Sequence, residues 1–157
     1  LECLKRFFAG WVRPNTLYNE SGPVIETPFS AMCSLEELYM QDWGDWIRVF
    51  HGCPSSWKDV SFRNMRARGA FLVSAVRKGG NTSCVSVLSE KGGTCRIQTG
   101  IPEMMLIVTG EGGNIPQWRA LGGGVVEIYM KKGETVTLTR RLLSYNVNYD
   151  EQSRTAA

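Results

Sequence analysis

The fold is decided by the stretch Thr27-Pro-Phe-Ser-Ala-Met-Cys-Ser-Leu-Glu-Glu-Leu-Tyr-Met-Gln-Asp-Trp-Gly-Asp-Trp-Ile-Arg-Val-Phe50, because the spacing of its apolar residues changes part-way along. Up to Gln41 the apolar residues recur every three to four positions, as in a helix with one buried face. From Trp46 onward, short runs of β-branched and aromatic residues are separated by glycines, which indicates strands. The change predicts an α+β chain in which a short helical segment leads into a long all-β region.

Two helices are predicted in the helical segment. The first runs from Leu1 to Val12 with one apolar stripe. The second has Thr27 as its N-cap, Pro28 in its first turn and an end near Gln41. A capping-box pattern at Ser34 and Glu37 leaves a later start open.

The two helices indicate the end of one domain. About 45 residues cannot enclose a core of their own, so we assign residues 1–44 to the last helices of a truncated domain. Residues 45–144 form a second, all-β domain, and residues 145–157 form a frayed tail. We expect the helices to pack on the β domain, with Trp43 and Trp46 near the contact.

The β region contains about eight short strands, which predicts an antiparallel β-sandwich or jelly roll. Glycine-rich turns such as Lys78-Gly-Gly-Asn81 separate the strands. The strands are expected near residues 46–50, 60–68, 70–77, 82–89, 94–98, 104–109, 125–131 and 135–139.

Composition limits the classes of function. The chain has 157 residues, 43% of them hydrophobic and 21% charged, which is enough to form a core. The net charge of +3 is spread thinly, and nucleic-acid binding usually requires a concentrated basic face. No stretch approaches the ~20 apolar residues of a membrane span. We therefore expect neither a nucleic-acid partner nor a membrane partner. The composition does not assign a cellular compartment.

The cysteines and the single histidine do not indicate a metal site. The five cysteines are widely spaced, and His51 is the only histidine, whereas zinc sites need clustered ligands. We expect no metal and no cofactor. The cysteines are interpreted as small buried apolar residues, and a disulfide between Cys84 and Cys95 is left open.

A few polar and aromatic residues are candidates for a site. Glu26 precedes the second helix, whose positive end favours an ionised carboxylate suited to act as a base; the alternative is that Glu26 only caps the helix. Trp43 and Trp46 can stack on sugar rings as substrate-binding residues, or they can fill a contact between domains. The acids Glu36, Glu37, Asp42 and Asp45 are more simply interpreted as a solvated face.

Several motifs in order resemble one family of enzymes. They are Ile25-Glu-Thr-Pro-Phe-Ser30, Met40-Gln41, Pro54-Ser-Ser-Trp57 and Arg66-Ala-Arg-Gly-Ala-Phe71. Between Val24 and Gly93 the chain resembles the C-terminal portion of the α-L-fucosidase-type glycoside hydrolases, glycoside hydrolase family ninety-five and its bacterial relatives. In that family an (α/α)6 barrel, a six-hairpin glycosidase fold, is followed by a C-terminal β-sandwich domain.

The resemblance implies a function in carbohydrate metabolism. Glu26 stands where the family has the aspartate that activates the catalytic water of an inverting hydrolase. The general acid belongs to the barrel, so the chain is expected to be the inactive C-terminal fragment of a glycosidase, with the sandwich buttressing the barrel. Its expected partners are the missing N-terminal barrel portion and the carbohydrate substrate of the parent enzyme. The alternative is a non-catalytic carbohydrate-binding or interaction module.

Overall fold

The computed structural model describes residues 1–15, 17–19 and 23–141 of the chain. A short helical region leads into two five-stranded sheets that share one core, so the predicted α+β sandwich is confirmed. The tail predicted from residue 145 lies outside the described residues.

The described part of the chain has two α-helices, α1 (Glu2–Gly10) and α2 (Glu26–Tyr39). Its strands are β1 (Tyr18–Asn19), β2 (Pro23–Val24), β3 (Met40–Gln41), β4 (Ile47–Val49), β5 (Val60–Ala67), β6 (Phe71–Lys78), β7 (Asn81–Ser89), β8 (Gly93–Gln98), β9 (Leu106–Gly110), β10 (Trp118–Gly122), β11 (Val125–Met130) and β12 (Thr135–Arg140).

The strands form two larger sheets and a small hairpin. The first sheet has the order β10-β11-β8-β4-β3, the second has the order β5-β6-β7-β12-β9, and β1 pairs with β2. Neighbouring strands are antiparallel except β4 and β8, which run parallel, with Ile47 opposite Ile97. The parallel pair arises because the chain leaves the first sheet after β4, builds β5 to β7 in the second sheet, and then returns.

The core lies between the two sheets and follows from the alternation of side chains along each strand. In β6, Phe71, Val73 and Ala75 are buried, whereas Leu72 and Ser74 between them are partly exposed. The second sheet contributes a largely β-branched layer, and the first sheet covers it with Ile97, Ile128 and Cys95. The apolar side chains of both sheets thus form one continuous core.

Helix α2 begins and ends earlier than the sequence predicts. Its N-cap is Ile25 rather than Thr27, and Pro28 lies within the first turn, where its missing N–H removes no helical bond. The alternative start at Ser34 is wrong, because the helix is continuous there and the Ser34 hydroxyl donates to the carbonyl of Ser30. The helix ends at Tyr39 because Met40 is extended and pairs with β4.

The eight predicted strands are present, and the sequence pattern missed several others. Strand β3 was predicted as helix, and β10 was not predicted. Strand β10 pairs with β11 at the edge of the first sheet, and its residues are mostly exposed or partly exposed. An edge strand with little burial lacks the apolar alternation that identifies a strand in sequence.

The two helices differ in how they contact the sandwich. At the end of α2 the Tyr39 ring lies 5.8 Å from Trp57 and 6.4 Å from Phe62, measured between ring centroids. Helix α1 is shorter than predicted and buries none of its side chains; its Phe7 stacks on Tyr18. No helix among the described residues is long and apolar enough to cross a membrane.

The cysteines are less uniformly buried than the sequence predicts. All five are free, and only Cys95 is buried, while Cys3 and Cys33 are exposed. Burial raises the pKa of the Cys95 thiol to about 12, so it is not reactive at neutral pH. Cys84 and Cys95 lie on strands of different sheets.

Candidate functional site

Glu26 is the first residue of α2, and its side chain is exposed. Its Oε2 accepts a hydrogen bond from the backbone N–H of Ile25 at 3.1 Å. The N–H of Phe29 instead donates to the carbonyl of Ile25. The carboxylate of Glu26 therefore takes up only one N–H, outside the helix, and stays open to solvent. Its catalytic role stays a prediction.

Trp43 and Trp46 are brought together by Arg48. The guanidinium carbon of Arg48 lies 4.0 Å from the ring centroid of Trp43 and 5.7 Å from that of Trp46. The same side chain donates from Nη1 to the carbonyl of Trp43 at 2.8 Å. Cation–π contact and hydrogen bonding together hold both indoles in place, while Trp43 stays 53% exposed and Trp46 41% exposed. We call these three residues the Trp43–Trp46 surface.

A polar pocket of about 350 Å³ adjoins this surface. We call it the Trp46 pocket; Asp42, Asp45, Trp46, Arg68 and Arg96 are among the residues that line it. Asp42 accepts the backbone N–H of Arg68 through Oδ2 at 2.8 Å, which ties the loop before β4 to the turn between β5 and β6. The two acids were interpreted from sequence as a solvated helix face, but both lie after α2 and line this pocket.

Behind the pocket, a buried carboxylate links three strands of the first sheet. Glu127 of β11 is 1% exposed and lies opposite Arg96 of β8 and Arg119 of β10. It accepts hydrogen bonds from Nε of Arg96 at 2.7 Å, Nε of Arg119 at 2.8 Å and the hydroxyl of Tyr129 at 2.8 Å. Both oxygens of the carboxylate thus accept hydrogen bonds, Oε2 from Arg96 and Oε1 from Arg119 and Tyr129.

These contacts change the acidity of the groups involved. The hydrogen bond from Arg96, followed by that from Tyr129, lowers the pKa of Glu127 to about 2. The same bond raises the pKa of Arg96, and the nearby charge of Asp45 adds to this shift. Arg96 is therefore held by Glu127 on one side and faces Asp45 across the Trp46 pocket.

The arrangement has the chemical groups that bind a polar ring-shaped ligand. Half-exposed indoles offer flat apolar faces, and carboxylates and guanidinium groups beside them offer hydrogen-bond acceptors and donors. Of the three residues predicted to form a site, the structure brings Trp43 and Trp46 together. Glu26 does not line the Trp46 pocket, so the predicted residues lie in two places.

Sequence reasoning missed Arg48, Arg96 and Glu127. A signal for Glu127 exists, because a single acid stands in the apolar run Val125-Val-Glu-Ile-Tyr129 at an outward position of the alternation. Its arginine partners could not be found in the same way, because they lie on other strands whose register depends on the fold.

The comparisons with known proteins assign no family to this chain. No protein-family model matches the chain, and no curated protein matches it. Within the described residues, no three His, Cys, Asp or Glu side chains are grouped so that they could hold a metal ion.

We expect Glu127→Gln to reduce stability at neutral pH and to flatten its dependence on acid. The pKa of Glu127 is lowered from 4.5 to about 2 on folding, so its contribution is fully present above pH 4.5 and is lost as the pH falls toward 2. Urea unfolding at a series of pH values measures this. The exposed Glu111→Gln is the matched control and should keep the wild-type slope. An unchanged slope in Glu127→Gln would contradict the role given to this carboxylate.

Proposed function

We propose that the chain is the C-terminal portion of a carbohydrate-active, fucosidase-like inverting glycoside hydrolase, whose β-sandwich buttresses a helical catalytic barrel. The observation that carries this proposal is an apolar stripe on α2 that nothing in the described chain covers. It is formed by Ile25 just before the helix and by Phe29 and Met32 within it, with exposed fractions of 49%, 55% and 53%.

The stripe extends beyond the buried residues of α2. Ile25, Phe29 and Met32 are spaced i, i+4 and i+7, so they lie along one side of the helix. Pro28 and Ala31, the buried residues of α2, adjoin the stripe, since Pro28 lies three residues after Ile25 and four before Met32. The apolar surface of α2 is therefore wider than the part that the described chain covers, which suits a helix that also contacts a further layer.

A helical barrel is the occupant that fits this surface. Apolar side chains at helical spacing form the ridges that pack into the grooves of a neighbouring helix. A second apolar groove, of about 550 Å³, lies between α1 and α2 and is lined by Leu4, Phe8, Leu35 and Trp57. Both surfaces support helix-on-helix packing of the kind found where an α/α barrel ends.

The position of Glu26 supports a role at the edge of such a barrel. It follows Ile25 and precedes Phe29 by three residues, so its exposed carboxylate emerges beside the stripe. An inverting glycosidase needs two carboxyl groups about 6.5–9.5 Å apart, one as base and one as acid. Glu26 would supply the base, and the barrel would supply the acid.

A second candidate is a non-catalytic carbohydrate-binding module, and the Trp43–Trp46 surface favours it. Arg48 holds both indoles, each partly exposed, beside the hydrogen-bonding groups of the Trp46 pocket. A preorganised aromatic surface lowers the entropy lost on binding. This candidate requires no barrel and is tested on the chain alone.

We expect Phe29→Glu to weaken binding between the chain and the barrel encoded upstream of it. Burial of a phenylalanine contributes about 1.5–3 kcal/mol, so the dissociation constant should rise by about tenfold or more. Calorimetry with the two portions produced separately measures this. Ser34→Glu adds the same charge on another side of α2 and should bind as wild type. Equal binding by both variants, or no binding by the wild type, would contradict the proposal.

We expect Glu26→Gln to abolish hydrolysis of aryl glycosides by the protein that includes the barrel. Loss of a general base costs about 10²–10⁴ in rate, and kcat should fall with little change in KM because the variant retains the shape of the side chain. Glu36→Gln, also exposed on α2, is the control. The chain without the barrel should be inactive. Glu26-dependent hydrolysis by the chain alone would contradict the proposal that the barrel supplies the general acid.

We expect saccharides bound by the second candidate to quench the tryptophan fluorescence of the isolated chain. Trp46→Ala should remove this quenching because it removes one of the two indoles held by Arg48. Trp11→Ala, which removes an exposed indole from the other end of the helical region, should retain it. Absence of quenching by any member of a panel of neutral oligosaccharides would exclude the carbohydrate-binding module.

A further inference from the structure

We infer that the end of the sandwich opposite the Trp46 pocket binds a small anionic ligand, one that carries a carboxylate or a phosphate, through Arg77. The site is a pocket of about 460 Å³ that we call the Arg77 pocket. The inference goes beyond the proposed function and does not depend on it, because the residues of the Arg77 pocket are neither on the apolar stripe of α2 nor in the Trp43–Trp46 surface.

Both sheets contribute to the Arg77 pocket. The second sheet supplies the hairpin between β6 and β7, and the first sheet supplies the ends of β4 and β8 and the turn before β11. Val49, Gln98 and Gly124 line it from the first sheet, and Arg77 and Thr82 line it from the second. The pocket is therefore the mouth between the two sheets, where the apolar core ends.

Arg77 occupies an inward position of β6. The inward residues before it, Val73 and Ala75, are buried in the core, and its partner across the hairpin, Thr82, is also buried. The alternation that builds the core thus directs a guanidinium group toward the mouth of the sandwich. An apolar or small residue would complete the core at this position, whereas an arginine places a charge at its edge.

The guanidinium of Arg77 lacks an acceptor within the described residues. Its Nε is buried and has no hydrogen-bond partner, and the salt bridges of the structure do not include it. A buried donor without an acceptor is destabilising, and the cost is larger when the group is charged. Because this Nε is closed to solvent in the structure, binding requires the guanidinium to turn into the pocket. A ligand oxygen bound to it there would remove the cost of the missing acceptor.

The chemistry around Arg77 selects an anion. His51, Asn81 and Thr82 line the same pocket, and no carboxylate does. Lys58 lies against Gly80, with Nζ 3.7 Å from the position that a Cβ would take at that glycine. Asp59 is the nearby acid, and its Oδ1 already accepts the N–H of Gly79 at 3.1 Å.

The shape of the site limits the ligand to a small oxyanion. The Nε–H and one Nη–H of an arginine donate in parallel to two oxygens of a carboxylate or phosphate. The volume suits a ligand of about the size of a sugar or smaller. Glycines at positions 80, 100, 123 and 124 line the pocket, so no side chain narrows it at these positions. A uronic acid and a phosphate ester share this chemistry.

The test is an NMR titration of the 157-residue chain with inorganic phosphate, glucuronate and, as a neutral control, glucose. The signals to follow are the Nε–H of Arg77 and the backbone amides of Gly80 and Gly124. We expect an anion to shift all three signals and glucose to shift none. A shift with phosphate alone or with glucuronate alone identifies the source of the oxyanion.

Variants separate the site from general attraction of anions. Arg77→Gln should weaken binding by about tenfold or more, as expected for loss of a charge-assisted hydrogen bond. Arg63→Gln removes the same charge from an exposed position on β5 outside the pocket and should bind as wild type. The inference is overturned if neither anion shifts the wild-type signals, if glucose shifts them equally, or if both variants lose binding alike. If Arg77→Gln does not fold, the wild-type titration alone still decides whether the Arg77 pocket binds an anion.

Discussion

The two sheets must bury their inward side chains against each other, and this constraint determines where Glu127 and Arg77 lie. Alternation along the strands places Val73, Val85 and Leu138 in the shared core. The same alternation turns Glu127 outward, where donors from adjacent strands satisfy it. It turns Arg77 inward at the point where the core ends. The positions of Glu127 and Arg77 therefore follow from the same alternation that builds the apolar core.

The sequence predicted the strands that show apolar alternation between glycine-rich turns, and it did not predict the strands that lack this pattern. All eight strands predicted from alternation and glycine turns are present, because half-buried strands need that pattern. Strand β3 was missed because Met40 and Gln41 continue the helical spacing, and only pairing with β4 makes them extended. Strand β10 was missed because an edge strand with exposed residues requires little apolar alternation.

The candidate sites were less predictable than the fold because they depend on which strands meet. The exposure of Trp43 and Trp46 could be expected from their place in a loop, but their common contact with Arg48 could not. Glu127 could be recognised as unusual by its position in an apolar run, although its arginine partners come from β8 and β10. The proposed catalysis by Glu26 rests on a resemblance and on exposure, and the proposal assigns the second carboxylate that it needs to the barrel.

The parallel pairing of β4 with β8 has a consequence for the order of folding. We expect the hairpins of β5, β6 and β7 to form before Ile47 meets Ile97, because closing a long loop costs more entropy than closing a short one. Strand β4 carries Arg48 and leads into Phe50 and His51, so it borders both the Trp43–Trp46 surface and the Arg77 pocket. We therefore expect both surfaces to be completed late in folding, after the local hairpins have formed.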